Sequence, residues 1–205
     1  MNESKSLADI VRARVSINEG LGRFPVLETR RLRIREVRPT DNAAHWHSLL
    51  PESKKTDTTV KQIADGLAAV RGRFYDTKYV IYWAITLKND DNMIGNVRFW
   101  EWAGHPERPL QFGTIQYDLA DAHLDGTIAA EAVRAVGEFG LRRLKLARVQ
   151  CSIQPDDTVR SGALFAGGFR REGVLRSWWF DAGSQQWQDK VMFSFIETDL
   201  AEKTQ

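Results

Sequence analysis

Residues 115–136 read IQYDLADAHLDGTIAAEAVRAV, and the periodicity changes in the middle of that run. Ile115, Tyr117 and Leu119 alternate with Gln116 and Asp118, as the residues of a strand do. From Thr127 onward the apolar residues recur at helical spacing instead. Ile128, Ala132, Val136 and Phe139 make one stripe, which predicts a helix from Thr127 to about Leu144. Arg142, Arg143 and Lys145 then gather near its negative dipole end. The run is therefore a strand, a short loop and a helix.

Upstream lie two more strand-like runs, YVIYWAITL (79–87) and MIGNVRFWEW (93–102), joined by the turn KNDDN. Asn and Asp tolerate left-handed backbone angles, so this turn predicts a hairpin. A Pro/Gly-bearing loop leads from there to LQFGTIQYDLA (110–120). Earlier still, LETRRLRIREVRPTD (27–41) interleaves Leu32, Ile34 and Val37 with Arg31, Arg33, Arg35 and Arg38, the pattern of a strand with one buried and one wet face. Read that way, the arginines are a solvated face rather than a nucleic-acid stripe. Thr40 and Asp41 would cap a short helix through Leu50, and Val60, Ile63, Ala64, Leu67, Val70 and Phe74 mark a second, from about Thr58 to Tyr75. Leu7, Ile10, Val11 and Val15 predict a helical arm over 1–25, ahead of a main domain over 26–205 and packed on it or on a second subunit.

Downstream, ARVQCSI (147–153) reads as a strand and DDTVRSGALFAGG as a capped short helix. GVLRSWWFD and QWQDKVMFSFI form a closing hairpin. Trp178 and Trp179 are adjacent, so a strand sends them to opposite faces, where one can pack in the core while the other reaches a partner or pocket.

The chain has 205 residues, 42% hydrophobic and 27% charged, with a net charge of +2, as a single soluble domain would. One cysteine, Cys151, excludes an internal disulfide framework and a thiolate metal cage. His45, His47, His105 and His123 are too scattered for a metal site, so no metal is expected. No apolar run reaches the roughly 18–20 residues of a membrane span, and the expected location is cytoplasmic, with no membrane partner.

This order of elements resembles the GNAT superfamily of N-acyltransferases, most closely the branch of the ribosomal-protein N-terminal acetyltransferases. The strings that carry the resemblance are LETRRLRIREVRPTD, MIGNVRF with Ile94-Gly95, the run 115–136, ARVQCSIQPDDTVRSGALFAGGFRREGVLR (147–176) and QWQDKVMFSFI. It implies an α/β (α+β) fold, with a mixed, mostly antiparallel twisted sheet of about seven strands flanked by helices. It further implies transfer of an acyl group from acetyl-CoA or another acyl-CoA to a primary amine by direct attack. In such a fold the strands 110–120 and 147–153 splay apart, and the donor's amides pair with the backbone of Tyr117, Leu119 and Ala120. Its pyrophosphate would rest on the loop and helix start formed by Asp125, Gly126, Thr127, Ile128 and Ala129, with Asp157 and Arg160 close by.

Several positions depart from the family pattern. Asp125 and Thr127 stand where glycines are usual, so the anion loop is degenerate and carries a negative charge of its own. Asp157 replaces an asparagine, Arg160 a small residue, and Leu164 the tyrosine with which many members protonate the leaving thiolate. Three readings follow: an acyl-CoA-dependent transferase, a transferase whose donor is an aminoacyl-tRNA or a carrier-protein thioester, or a non-catalytic binding protein. The acceptor would be a small-molecule or peptide amine, and the protein a monomer or homodimer.

Attack requires a neutral amine and hence a general base, for which Asp118 and Glu101 are the candidates on the central strands. Both also fit as solvated strand-edge carboxylates. His45, His47 and His123 read as surface or packing residues, and Cys151 as a buried, inert thiol.

Overall fold

A computed structural model describes residues 24–38, 41, 61–62, 65, 80–104, 110–120, 123 and 126–201, with the backbone alone at 101–104 and 110–111. The expected N-terminal arm as far as residue 23, the first expected helix beyond Asp41, His45, His47, His105 and Asp125 lie outside the described residues, and of the second expected helix only Lys61, Gln62 and Asp65 are described, all three helical.

Eight strands form one sheet: β1 (Leu27–Glu28), β2 (Leu32–Glu36), β3 (Ile81–Leu87), β4 (Asp90–Gly104), β5 (Leu110–Leu119), β6 (Arg148–Ile153), β7 (Arg170–Asp181) and β8 (Gln186–Ile196). Their spatial order is β1-β2-β3-β4-β5-β6-β8-β7. Every neighbouring pair is antiparallel except β5 and β6. That parallel pair is joined by the crossover helix α1 (Thr127–Arg142), and α2 (Thr158–Ala166) follows β6.

The sheet has one strand more than the sequence pattern suggested, because residues 27–36 divide. Thr29 turns the chain by donating its N–H to the carbonyl of Leu32, while its Oγ1 accepts the N–H of Leu32. Glu131 of α1 locks that turn. Its Oε1 accepts from the hydroxyl of Thr29 and, at 2.7 Å, from the N–H of Arg31, and its Oε2 accepts from Arg31 Nε at 2.7 Å.

The helices pack on one face of the sheet. Ile128, Ala132, Val133, Val136 and Phe139 of α1 meet Ile34, Trp83, Ile85, Val97, Phe99, Ile115, Tyr117 and Phe195 in the main core. Trp83 stands edge-on to Phe139 at 5.5 Å and donates its indole N–H to the carbonyl of Pro25. The predicted apolar stripe of α1 is therefore its buried face.

Two expectations are corrected. Arg35 is not on a wet face: it is 3% exposed, pinned by both oxygens of Asp41 and by Asp91. Burial opposes its charge, but these carboxylates outweigh that and raise its pKa. Trp178 and Trp179 are both exposed, because the β7–β8 hairpin runs on beyond the core and Ser177 sits in a bulge with φ 48°.

Candidate active site

β5 and β6 touch over three residue pairs only: Phe112 with Arg148, Gly113 with Val149 and Thr114 with Gln150. Beyond them β5 stays with β4 as far as Leu119, and β6 stays with β8 as far as Ile153, so the two strands part. Gln150 Nε2 donates to Thr114 Oγ1 at 3.2 Å at the apex of the gap. The N–H of Ala120 is turned toward β4, where it donates to the carbonyl of Ile94 at 3.0 Å. Successive backbone groups of a strand point to opposite sides. Tyr117 and Leu119 therefore direct their peptide groups into the gap, whereas the amide of Ala120 is already engaged.

Three charged side chains close around this gap. Asp157 caps α2 by accepting the Arg160 N–H at 2.9 Å on Oδ1, and its Oδ2 accepts from Arg160 Nη1 at 2.7 Å. Arg160 Nη2 donates to Asp118 Oδ1 at 2.9 Å. The guanidinium also lies 5.9 Å from the ring of Tyr117, whose hydroxyl donates to the Arg160 carbonyl at 3.4 Å. Burial works against the charge of Arg160, but the two carboxylates outweigh it and raise its pKa. Asp118 stands opposite the buried Asn96 of β4 and remains about half exposed.

After β5, α1 is capped by Gly126, whose φ of 79° is a left-handed value that glycine adopts without strain. A Cβ there would meet nothing within 4 Å. The first turn holds no acid, and Arg31 Nη1 donates to Thr127 Oγ1 at 3.1 Å, so a cation supplements the positive end of the helix dipole. Ile128 and Ala129 bury their side chains in the core and could meet a ligand only through their backbone.

Glu101 is not brought to this cluster. It lies five residues along β4 from Asn96, the partner of Asp118, which is roughly 17 Å of strand. Cys151 is buried, and burial pushes its thiol up to about 12, so it stays protonated. Leu164 is fully buried. Tyr82 on β3 is pushed up to about 12, chiefly by burial and then by the charge of Asp118. Lys190 of β8, 5.1 Å from the ring of Trp179, has a lowered pKa through burial and then the charge of Arg160. No sequence signal marked Tyr82, Asn96 or Lys190, because strand register alone puts them near the gap. Among the described residues no group of three or more His, Cys, Asp or Glu could hold a metal ion. No helix among them is long and apolar enough to cross a membrane.

An open mixed sheet whose one parallel pair parts, with a crossover helix between the two strands, is the arrangement that the resemblance to the acyltransferases implies. The chain belongs to the GNAT acetyltransferase family: the family model described as the acetyltransferase (GNAT) domain matches residues 31–170. Among curated proteins it is similar to the uncharacterized N-acetyltransferase YoaA of Bacillus subtilis (strain 168), 25% identical over 179 residues, covering 85% of this chain and 98% of the relative. Among solved structures it is similar to RimJ of Mycobacterium smegmatis in complex with CoA-disulfide, with TM-score 0.73, 19% identity, and 88% and 91% of the two chains covered. It is also similar to the ribosomal-protein-S5-alanine acetyltransferase of Vibrio fischeri, with TM-score 0.65, 19% identity, and 84% and 96% covered.

Proposed function

We propose that this chain transfers an acetyl group from acetyl-CoA to a primary amine in the gap between β5 and β6, with Asp118 as the general base. The observation that carries the reading is the parting of the strands beyond Thr114 and Gln150, with Asp118 at its edge. The outward-turned peptide groups of Tyr117 and Leu119 suit the amides of a pantetheine arm. The start of α1 at Gly126–Ala129, with Arg31 beside it, suits the pyrophosphate. The curated relative named as an N-acetyltransferase and the neighbour holding a CoA-disulfide support this donor and this reaction.

In the reaction the amine arrives as an ammonium ion, which the net charge of −1 over Asp118, Asp157 and Arg160 attracts. Asp118 takes its proton, and the freed nitrogen lone pair attacks the thioester carbonyl carbon. A C–N bond forms, an N–H turned into the gap steadies the oxyanion, and the C–S bond breaks, the surplus proton on the nitrogen passing to the departing thiolate to leave the neutral amide and CoA thiol. Neither Cys151 nor a metal enters this scheme. Calorimetric titration with acetyl-CoA tests the donor: saturable binding to one site per chain is expected, and no heat at about tenfold above a typical micromolar KM contradicts it.

A further inference from the structure

The side chains of consecutive strand residues point to opposite faces of a sheet. Tyr117 faces the main core on the helix side, so Asp118 faces the other side. Arg160 nonetheless reaches both: its guanidinium lies 5.9 Å from the Tyr117 ring and donates to Asp118 Oδ1 at 2.9 Å. A side chain that touches both neighbours must cross the edge of β5 that faces the gap, the edge along which Tyr117 and Leu119 offer their backbone. Its other end is tied to Asp157, the cap of the helix that follows β6. Asp118, Arg160 and Asp157 thus run from one arm of the gap to the other.

We infer that Arg160 is a strap across the donor cleft, a residue that sets donor affinity and releases the base. The inference rests on the acyl-CoA reading above. A pantetheine arm that pairs with β5 displaces the guanidinium from this edge, which breaks the bond to Asp118 and leaves Asp157 holding Arg160. The same event frees the Asp118 carboxylate for the amine. The pair can open because both members are exposed, at 36% for Arg160 and 46% for Asp118, and exposed ion pairs are weak.

The test compares acetyl-CoA with adenosine 3′,5′-bisphosphate, which carries donor phosphates but no pantetheine arm, in calorimetric titrations of the wild-type chain, Arg160→Gln and Asp118→Asn. Either substitution removes the strap, and the second leaves the arginine in place. Both variants are expected to bind acetyl-CoA about twofold to fivefold more tightly than wild type, the worth of an exposed ion pair, and the bisphosphate equally well. Equal or weaker acetyl-CoA binding in either variant overturns the strap, as does an equal gain for the two ligands. Failure of all three proteins to bind acetyl-CoA while binding the bisphosphate overturns the donor reading and the strap together. Wild-type binding without a gain in the variants overturns the strap alone.

Discussion

Asp118 and Arg160 stand 42 positions apart in the sequence and meet at 2.9 Å across a gap where two parallel strands have separated. The pair depends on that separation. Were β6 hydrogen-bonded to β5 along its length, the edge at Tyr117 would be filled by backbone and α2 could not pass a side chain across it. The parting that we propose as the donor cleft therefore also lets a cation reach the carboxylate we propose as base.

Gly95 of β4 has no room for a side chain against β5 at Asp118 and Leu119. A Cβ at Gly95 would stand 2.5 Å from the Asp118 carbonyl oxygen and 2.5 Å from Leu119 Cδ2. The first is backbone and cannot swing away. Gly95→Ala is expected to cost about 1–3 kcal/mol in chemical denaturation, as overpacking does, and to weaken acetyl-CoA binding by moving β5.

Glu131 ties α1 to the turn between β1 and β2. Burial opposes its charge, but the bonds from Thr29 and Arg31 prevail and its pKa is lowered from 4.5. A carboxylate depressed in the folded state stabilises above its unfolded pKa, and that contribution is lost as pH falls through the folded value. Glu131→Gln is expected to cost about 1.5–3 kcal/mol at neutral pH, the range for hydrogen bonds to a charged group. It should also flatten the fall of stability below about pH 4.5, measured by urea melts across the acid range.

Among the described residues, the order of the strands and of α1 and α2 was legible because periodicity changes sharply at Thr127 and because Asp157 is local punctuation, a helix cap. Relations fixed only by tertiary register were not legible. The arginines of 31–38 look alike in sequence, yet Arg35 finds Asp91 56 positions away and is buried, while Arg31 finds Glu131 100 positions away. Asp118 and Arg160 were each marked by their positions in the resemblance, Asp118 as a base and Arg160 as an unusual cation. That they bond to each other follows from the gap, which no local pattern encodes.

Cys151 offers a check on the direct-attack scheme. With its thiol buried and pushed up to about 12, the native chain should resist alkylation at pH 8 and be labelled only in denaturant. Cys151→Ala should retain turnover within about threefold, since no covalent acyl-enzyme is formed. A loss of 100-fold or more would show the thiol to be in the reaction path.

Asp125 precedes in sequence the glycine that caps α1, the helix start proposed for the donor's pyrophosphate, and adds a negative charge to that stretch of chain. Asp125→Gly removes that charge and is expected to tighten CoA binding by about twofold to fivefold, on the scale of a helix-terminus charge effect of up to ~1 kcal/mol. Calorimetry with CoA reads it, and unchanged affinity would place the pyrophosphate elsewhere.

The central claim is that an amine is acylated at the edge of β5 with Asp118 as base. It is tested most directly by measuring the release of CoA thiol from acetyl-CoA in the presence of a panel of primary amines, for the wild-type chain and for Asp118→Asn. The account predicts amine-dependent thiol release by the wild-type chain and a rate about 100-fold or more lower in the variant, the usual contribution of a general base, with acetyl-CoA still bound. Amine-dependent release that proceeds undiminished in Asp118→Asn would contradict it.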